Sequence, residues 1–101
     1  MREIENTDKE DLKGALCKNW VRFNDDTFVI GDKDESHVTL KSHFPKLEVI
    51  DAGYVLITGG ITLNAWEGSE SLDIPDNNPF RSGSLKKWAE FAEKNHLILQ
   101  K

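Results

Sequence analysis

A chain of 101 residues with 31% charged and 38% hydrophobic side chains has the size and composition of one folded domain, and its single cysteine excludes a disulfide scaffold. A net charge of −5 argues against duplex binding, because nonspecific affinity for nucleic acid comes from lysines and arginines that neutralise phosphates. No apolar run approaches the roughly 18 residues of a membrane span, and the opening MREIENTDKEDLK is too polar for a signal sequence, so the expected setting is cytoplasmic, with neither membrane nor nucleic acid as partner.

Residues 1–6 read as a flexible N-terminal tail. Thr7 with Glu10 three residues later has the form of a capping box, and Asp8, Glu10 and Asp11 suit the positive end of a helix dipole. With Leu12, Ala15 and Leu16 at helical spacing they predict a helix over 8–17, weakened by Gly14. Trp20-Val21-Arg22-Phe23 and Thr27-Phe28-Val29-Ile30, separated by Asn24-Asp25-Asp26, predict a β-hairpin. After the acidic segment Gly31–Glu35, either Asp34 or Ser36 caps a short helix carrying His37, Val38, Leu40, Lys41 and Phe44, and Pro45 ends it.

Tyr54–Thr58 and Ile61–Trp66 flank Gly59-Gly60, which predicts a hairpin with a two-residue loop, since glycine reaches positive φ without strain. The first of these strands is apolar at nearly every position and the second alternates, as a central strand beside a half-covered one would. Residues 73–83, with Pro75, Asn77, Asn78 and Pro79, have the composition of an exposed loop. Ser84 is expected to cap a last helix whose Leu85, Trp88, Phe91 and Ala92 form one apolar stripe, and Leu97-Ile98-Leu99 reads as a closing strand. The sum is a single α+β domain over 1–101, a mixed sheet of about five to six strands with two or three helices packed on it.

The candidate chemistry is sparse. His37 and His43 lie on different helix faces rather than at the i, i+4 spacing of a zinc helix, and Asp32, Asp34 and Ser36 lack the glycine and bidentate glutamate of a calcium loop, so no metal is expected. Cys17 reads as a buried structural residue, and Asp25-Asp26 as turn formers. No phosphate-cradling glycine loop or nucleophile elbow occurs, and no cofactor is implied. His37 stands at a helix start after an acidic loop, where a neutral imidazole near amide donors can handle an anion. Gly68-Ser69-Glu70-Ser71 places hydroxyls at a strand end, where they can line an anion site or simply form a turn.

Four segments together resemble the Janus family, the small phosphohistidine phosphatases: Lys18 before Trp20-Val21-Arg22-Phe23, Val29-Ile30-Gly31 followed six residues later by His37, Ala52-Gly53-Tyr54-Val55, and Trp66-Glu67-Gly68-Ser69-Glu70-Ser71-Leu72. The resemblance spans roughly residues 18–99 and implies a six-stranded mixed sheet with two helices. It also implies His37 as general base or transient phosphate acceptor, with Lys18, amides near Gly53, Ser69 and Ser71 holding phosphate. The chain departs from the family at its arginines, where Ile30 and Tyr54 stand, and at the aromatic residue before the histidine, where Ser36 stands. An arginine fork supplies the charge-assisted bonds that a phosphoryl transition state needs, and Asp32, Asp34 and Glu35 repel an anionic substrate. The expectation is therefore a non-catalytic binding or regulatory module on a phosphatase-like scaffold. The partner is a protein or a second copy, and a phosphate-bearing ligand is the further option. The alternatives are an active phosphohistidine phosphatase in which Lys18, Lys33 or Arg22 replaces the missing cations, and a structural, self-associating protein with Trp66 at its interface.

Overall fold

Strand alternation distributes the large apolar residues to both faces of one sheet. The structure, a computed structural model, describes residues 1–14 and 16–100. Its strands are β1 (Arg2–Glu3), β2 (Lys18–Phe23), β3 (Phe28–Ile30), β4 (Val49–Thr58), β5 (Thr62–Glu67) and β6 (Ile98–Gln100), and its α-helices are α1 (His37–Ser42) and α2 (Arg81–Lys94). The sheet order is β1-β3-β2-β4-β5-β6. Neighbours are antiparallel except β5 and β6, which run parallel because α2 carries the chain back between them. The domain is α+β with a mixed sheet.

On one face Trp20, Phe28, Val55 and Leu63 meet Trp88, Phe91 and Ala92 of α2. Trp20 stacks on Phe28 at 5.1 Å and meets Trp88 edge-on at 6.2 Å. On the other face Val21, Phe23, Val29 and Ala52 gather under Leu40 of α1. Both faces of β2 and β4 are thus covered near the middle of the sheet, which explains the nearly continuous apolar run in β4. Among the described residues no helix is long and apolar enough to cross a membrane.

Several sequence expectations need correction. Residues 1–6 do not trail away: Arg2 and Glu3 pair with Ile30 and Val29, Ile4 is buried, and the terminal ammonium lies 2.6 Å from Glu35. The helix expected over 8–17 is a 3-10 turn over Lys9–Leu12, capped by Asp8 with Asp11 rather than by Thr7 with Glu10. Thr7 instead donates its hydroxyl to the Glu3 carbonyl, and Gly14, at φ 135°, leaves helical space. Ala15, part of the expected stripe, lies outside the described residues; Leu16 and Cys17 are exposed, so Cys17 is not a core residue.

In the β4–β5 hairpin Thr58 pairs with Thr62, so the loop is Gly59-Gly60-Ile61, one residue longer than expected, with both glycines at positive φ as the turn requires. Helix α2 starts at Arg81, three residues before the expected cap. Ser84 lies within its first turns because its hydroxyl is used elsewhere, donating to Asp51. The preceding loop is held by Asn78, whose amide donates to the Ile50 carbonyl at 3.0 Å and whose oxygen accepts from the Phe80 amide.

Candidate functional site

Helix α1 begins where the Ser36 hydroxyl accepts the Thr39 amide at 3.1 Å, and this cap fixes the direction of the first helical residue, His37. The His37 ring points inward and is only 4% exposed. Its Nε2 lies 2.7 Å from the Gly53 carbonyl oxygen in β4. A carbonyl only accepts, so Nε2 carries the proton and Nδ1 is left to accept from the Ser69 hydroxyl at 3.0 Å. Ser71 Oγ, 3.3 Å from Ser69 Oγ, extends this chain toward solvent. Burial holds the His37 pKa below the usual imidazole value, and the bond to Gly53 opposes that shift in part. His37 is thereby a neutral acceptor that ties α1 to β4 and to the turn after β5.

That turn is a closed loop. Ser69 and Ile74 exchange amide–carbonyl bonds of 2.8 and 2.9 Å, and Asp73 takes the left-handed conformation at φ 56°. Beside it lies a shallow open cleft bounded by Tyr54, Ser69 and Ser71 and by the carboxyl groups of Glu70, Asp73 and Asp76, with no basic side chain in its lining. Tyr54 touches His37 edge-on at 5.1 Å and Trp66 at 5.8 Å. Registry places Tyr54 opposite Trp66 and Thr62 opposite Ile98, so these residues share the α1 face of the sheet. Helix α1 packs over β2, and among the described residues no helix lies over β5 and β6 on this face. Trp66 is accordingly 42% exposed and Ile98 63%.

Of the residues singled out from the sequence, His37, Gly53, Ser69 and Ser71 converge, whereas Lys18 does not. Lys18 pairs with Val55 and alternates with Asn19, whose amide reaches the Glu35 carbonyl on the α1 side; Lys18 therefore projects with Trp20 from the opposite face. Gly53 is in the central strand between Trp20 and Glu67, where a Cβ would collide with the Trp66 carbonyl and the Trp20 ring, so its glycine identity serves packing. The possible replacement cations are also elsewhere: Arg22 is bound to Asp26, and Lys33 is exposed in the loop before α1. His43 lies 3.4 Å from Glu35, His96 is exposed, and no group of three or more histidine, cysteine or acidic residues able to hold a metal occurs among the described residues.

A second cluster escaped the sequence reading. On the α2 face Asp51 and Glu67 are both buried, and Asp51 accepts from the Ser84 hydroxyl and from the Ala52 amide. Arg22 reaches Ser84 Oγ at 3.4 Å and the Phe80 carbonyl at 3.2 Å. The Glu67 side chain is 2% exposed and neither of its oxygens meets a hydrogen-bond donor, although Arg81 Nε stands 3.3 Å away. A proton on Glu67 supplies the donor that faces Asp51. Burial first, then the hydrogen bond and charge of Asp51, push the Glu67 pKa up to about 8, against the pull of Arg81. The signal in the sequence was an acidic residue inside each of two β-rich runs, Val49–Ala52 and Ile61–Glu67.

The chain matches no protein family, no curated protein and no solved structure.

Proposed function

We propose that the protein is a non-catalytic binding module that meets a protein partner through the open part of its α1-side sheet face. The observation that carries this reading is the exposed Trp66 packed on the half-buried Tyr54 beside a cleft. A large aromatic exposed next to half-buried apolar neighbours costs solubility, and such residues are enriched where partners dock. The phosphatase reading has weaker support. Both ring nitrogens of His37 are engaged, by Gly53 and Ser69, and the cleft carries carboxyl groups where a phosphoryl group needs cations.

The test has two arms. Selection from a displayed peptide library against the domain is expected to enrich sequences whose binding shifts the amide resonances of Tyr54, Trp66 and residues 69–76 and is lost in Trp66→Ala. In parallel, a phosphohistidine peptide is offered to wild type and to His37→Ala at high protein concentration, with no phosphate release expected from either. Release that depends on His37 would replace the module reading with the phosphatase one.

A further inference from the structure

We propose that the segment docking on this face is positively charged, an arginine- or lysine-bearing stretch of a partner protein whose cationic groups lie against Tyr54 and Trp66 and between Glu70, Asp73 and Asp76. The inference rests on the binding-module reading and adds the chemistry of the ligand.

The face offers apolar and π surface. Tyr54 and Trp66 sit with ring centroids 5.8 Å apart and planes inclined by 30°, which presents two neighbouring ring faces rather than an edge and a face. A guanidinium or ammonium within about 6 Å of such a ring is attracted by its quadrupole, best of all by tryptophan. Leu56 and Ile98, on the same face by registry, extend the apolar surface away from the cleft.

Charge then selects the occupant. Glu70, Asp73 and Asp76 line the cleft together with Tyr54. Several other acidic residues have cationic neighbours, among them Glu10 with Lys13, Asp11 with Arg2, Asp26 with Arg22, and Asp32 and Glu35 with the N-terminal ammonium. Glu70, Asp73 and Asp76 form no ion pair among the described residues. They line one open cleft that has no basic residue in its lining, so their charges act together on a bound cation. A partner whose contacting group is anionic meets repulsion here, and a neutral one leaves these carboxyl groups without compensation. The net charge of −5 extends the same preference to the encounter step.

The experiment titrates the 15N-labelled domain with three synthetic peptides of equal length, alternating leucine with arginine, with glutamine or with glutamate. The arginine peptide is expected to shift Tyr54, Trp66 and residues 69–76, and the glutamine peptide to bind at least about tenfold more weakly. Two variants, Trp66→Ala and the triple exchange Glu70→Gln, Asp73→Asn, Asp76→Asn, are each expected to cut arginine-peptide affinity about tenfold or more while the remaining amide spectrum stays folded. Asparagine tolerates the left-handed backbone at position 73. Equal binding of the arginine and glutamine peptides at this face overturns the charge preference and leaves the binding module standing. Preference for the glutamate peptide overturns it in the opposite direction. If no peptide perturbs the face, the cationic ligand falls, and sedimentation then separates the remaining cases. A dimer abolished by Trp66→Ala means that a second copy covers the face, and a monomer at high concentration removes the docking surface altogether.

Discussion

Replacing Glu67 by glutamine tests the buried acid pair directly. In the folded protein Glu67 keeps its proton up to about pH 8, whereas the unfolded chain releases it near 4.5. Between these values the native state binds a proton that the unfolded state lacks, so stability from this group is complete below about pH 4.5 and falls as pH rises through about 8. Each pKa unit corresponds to about 1.36 kcal/mol, so the burden carried at pH 7 is on the order of 3 kcal/mol. Glutamine keeps the side chain's shape, presents an amide N–H toward Asp51 in place of the carboxyl O–H, and does not ionise. Arg81 makes little difference to this comparison, because it is 56% exposed and the protonated Glu67 gives it no charge to pair with. Glu67→Gln is therefore expected to be more stable than wild type by on the order of 3 kcal/mol at pH 7, with the gap growing toward pH 8 and closing near pH 4.5. Urea unfolding followed by tryptophan fluorescence at pH 5, 6, 7 and 8 measures it. A variant whose stability relative to wild type is the same at pH 5 and pH 8 would refute a shared proton between Asp51 and Glu67.

Trp88 has no exposed surface and contacts Trp20, Phe28 and Phe91, so Trp88→Ala should cost roughly 3–5 kcal/mol in the same assay, and a loss below about 1 kcal/mol would mean that α2 does not pack as described. Ser69→Ala strands the buried Nδ1 of His37 without a donor and should cost about 1–3 kcal/mol; an unchanged midpoint would show that the bond is not formed in solution. The lowered His37 pKa sets the acid side of the stability profile. Its contribution is fully present above the unfolded value of 6.5 and is lost as pH falls through the folded value, because the unfolded imidazole then takes up the proton more readily. The histidine's Cε1–H proton resonance, followed by NMR through the acid range, should titrate below 6.5, and a midpoint above that value would contradict the buried neutral ring.

Local pattern made much of the fold legible. The β-rich runs at 20–23, 27–30, 54–58 and 61–66, the glycine pair at 59–60 and the stripe through Trp88 and Phe91 are one-dimensional signals, because β propensity, positive φ and helical spacing are properties of neighbouring residues. They led to an α+β domain and to strands β2, β3 and β5 within a residue or two, whereas β4 begins at Val49, five residues before the expected Tyr54. Where competing local signals met, tertiary contacts decided: Ser84 looked like a cap, yet Asp51 claims its hydroxyl from another strand, and Ile4 looked like part of a tail until burial and the β1–β3 pairing held it. The candidate site divides in the same way. The residue types at 37, 69 and 71 were visible as chemistry, but their meeting depends on α1, β4 and the turn after β5 arriving at one place, with Ser69 following His37 by 32 positions in the chain. Lys18 was read by its position before a strand, and strand parity sent it to the other face. Asp51 and Glu67 carry no sequence signal of being partners, since strand pairing across the hairpin, and α2 folding over it, is what removes both from water. Sequence by itself determined the central strands, the last helix and that the chain is acidic. Only the tertiary structure decided which side chains share a face, because registry, burial and the packing of two helices on opposite sides of the sheet are relations between segments that no single segment contains.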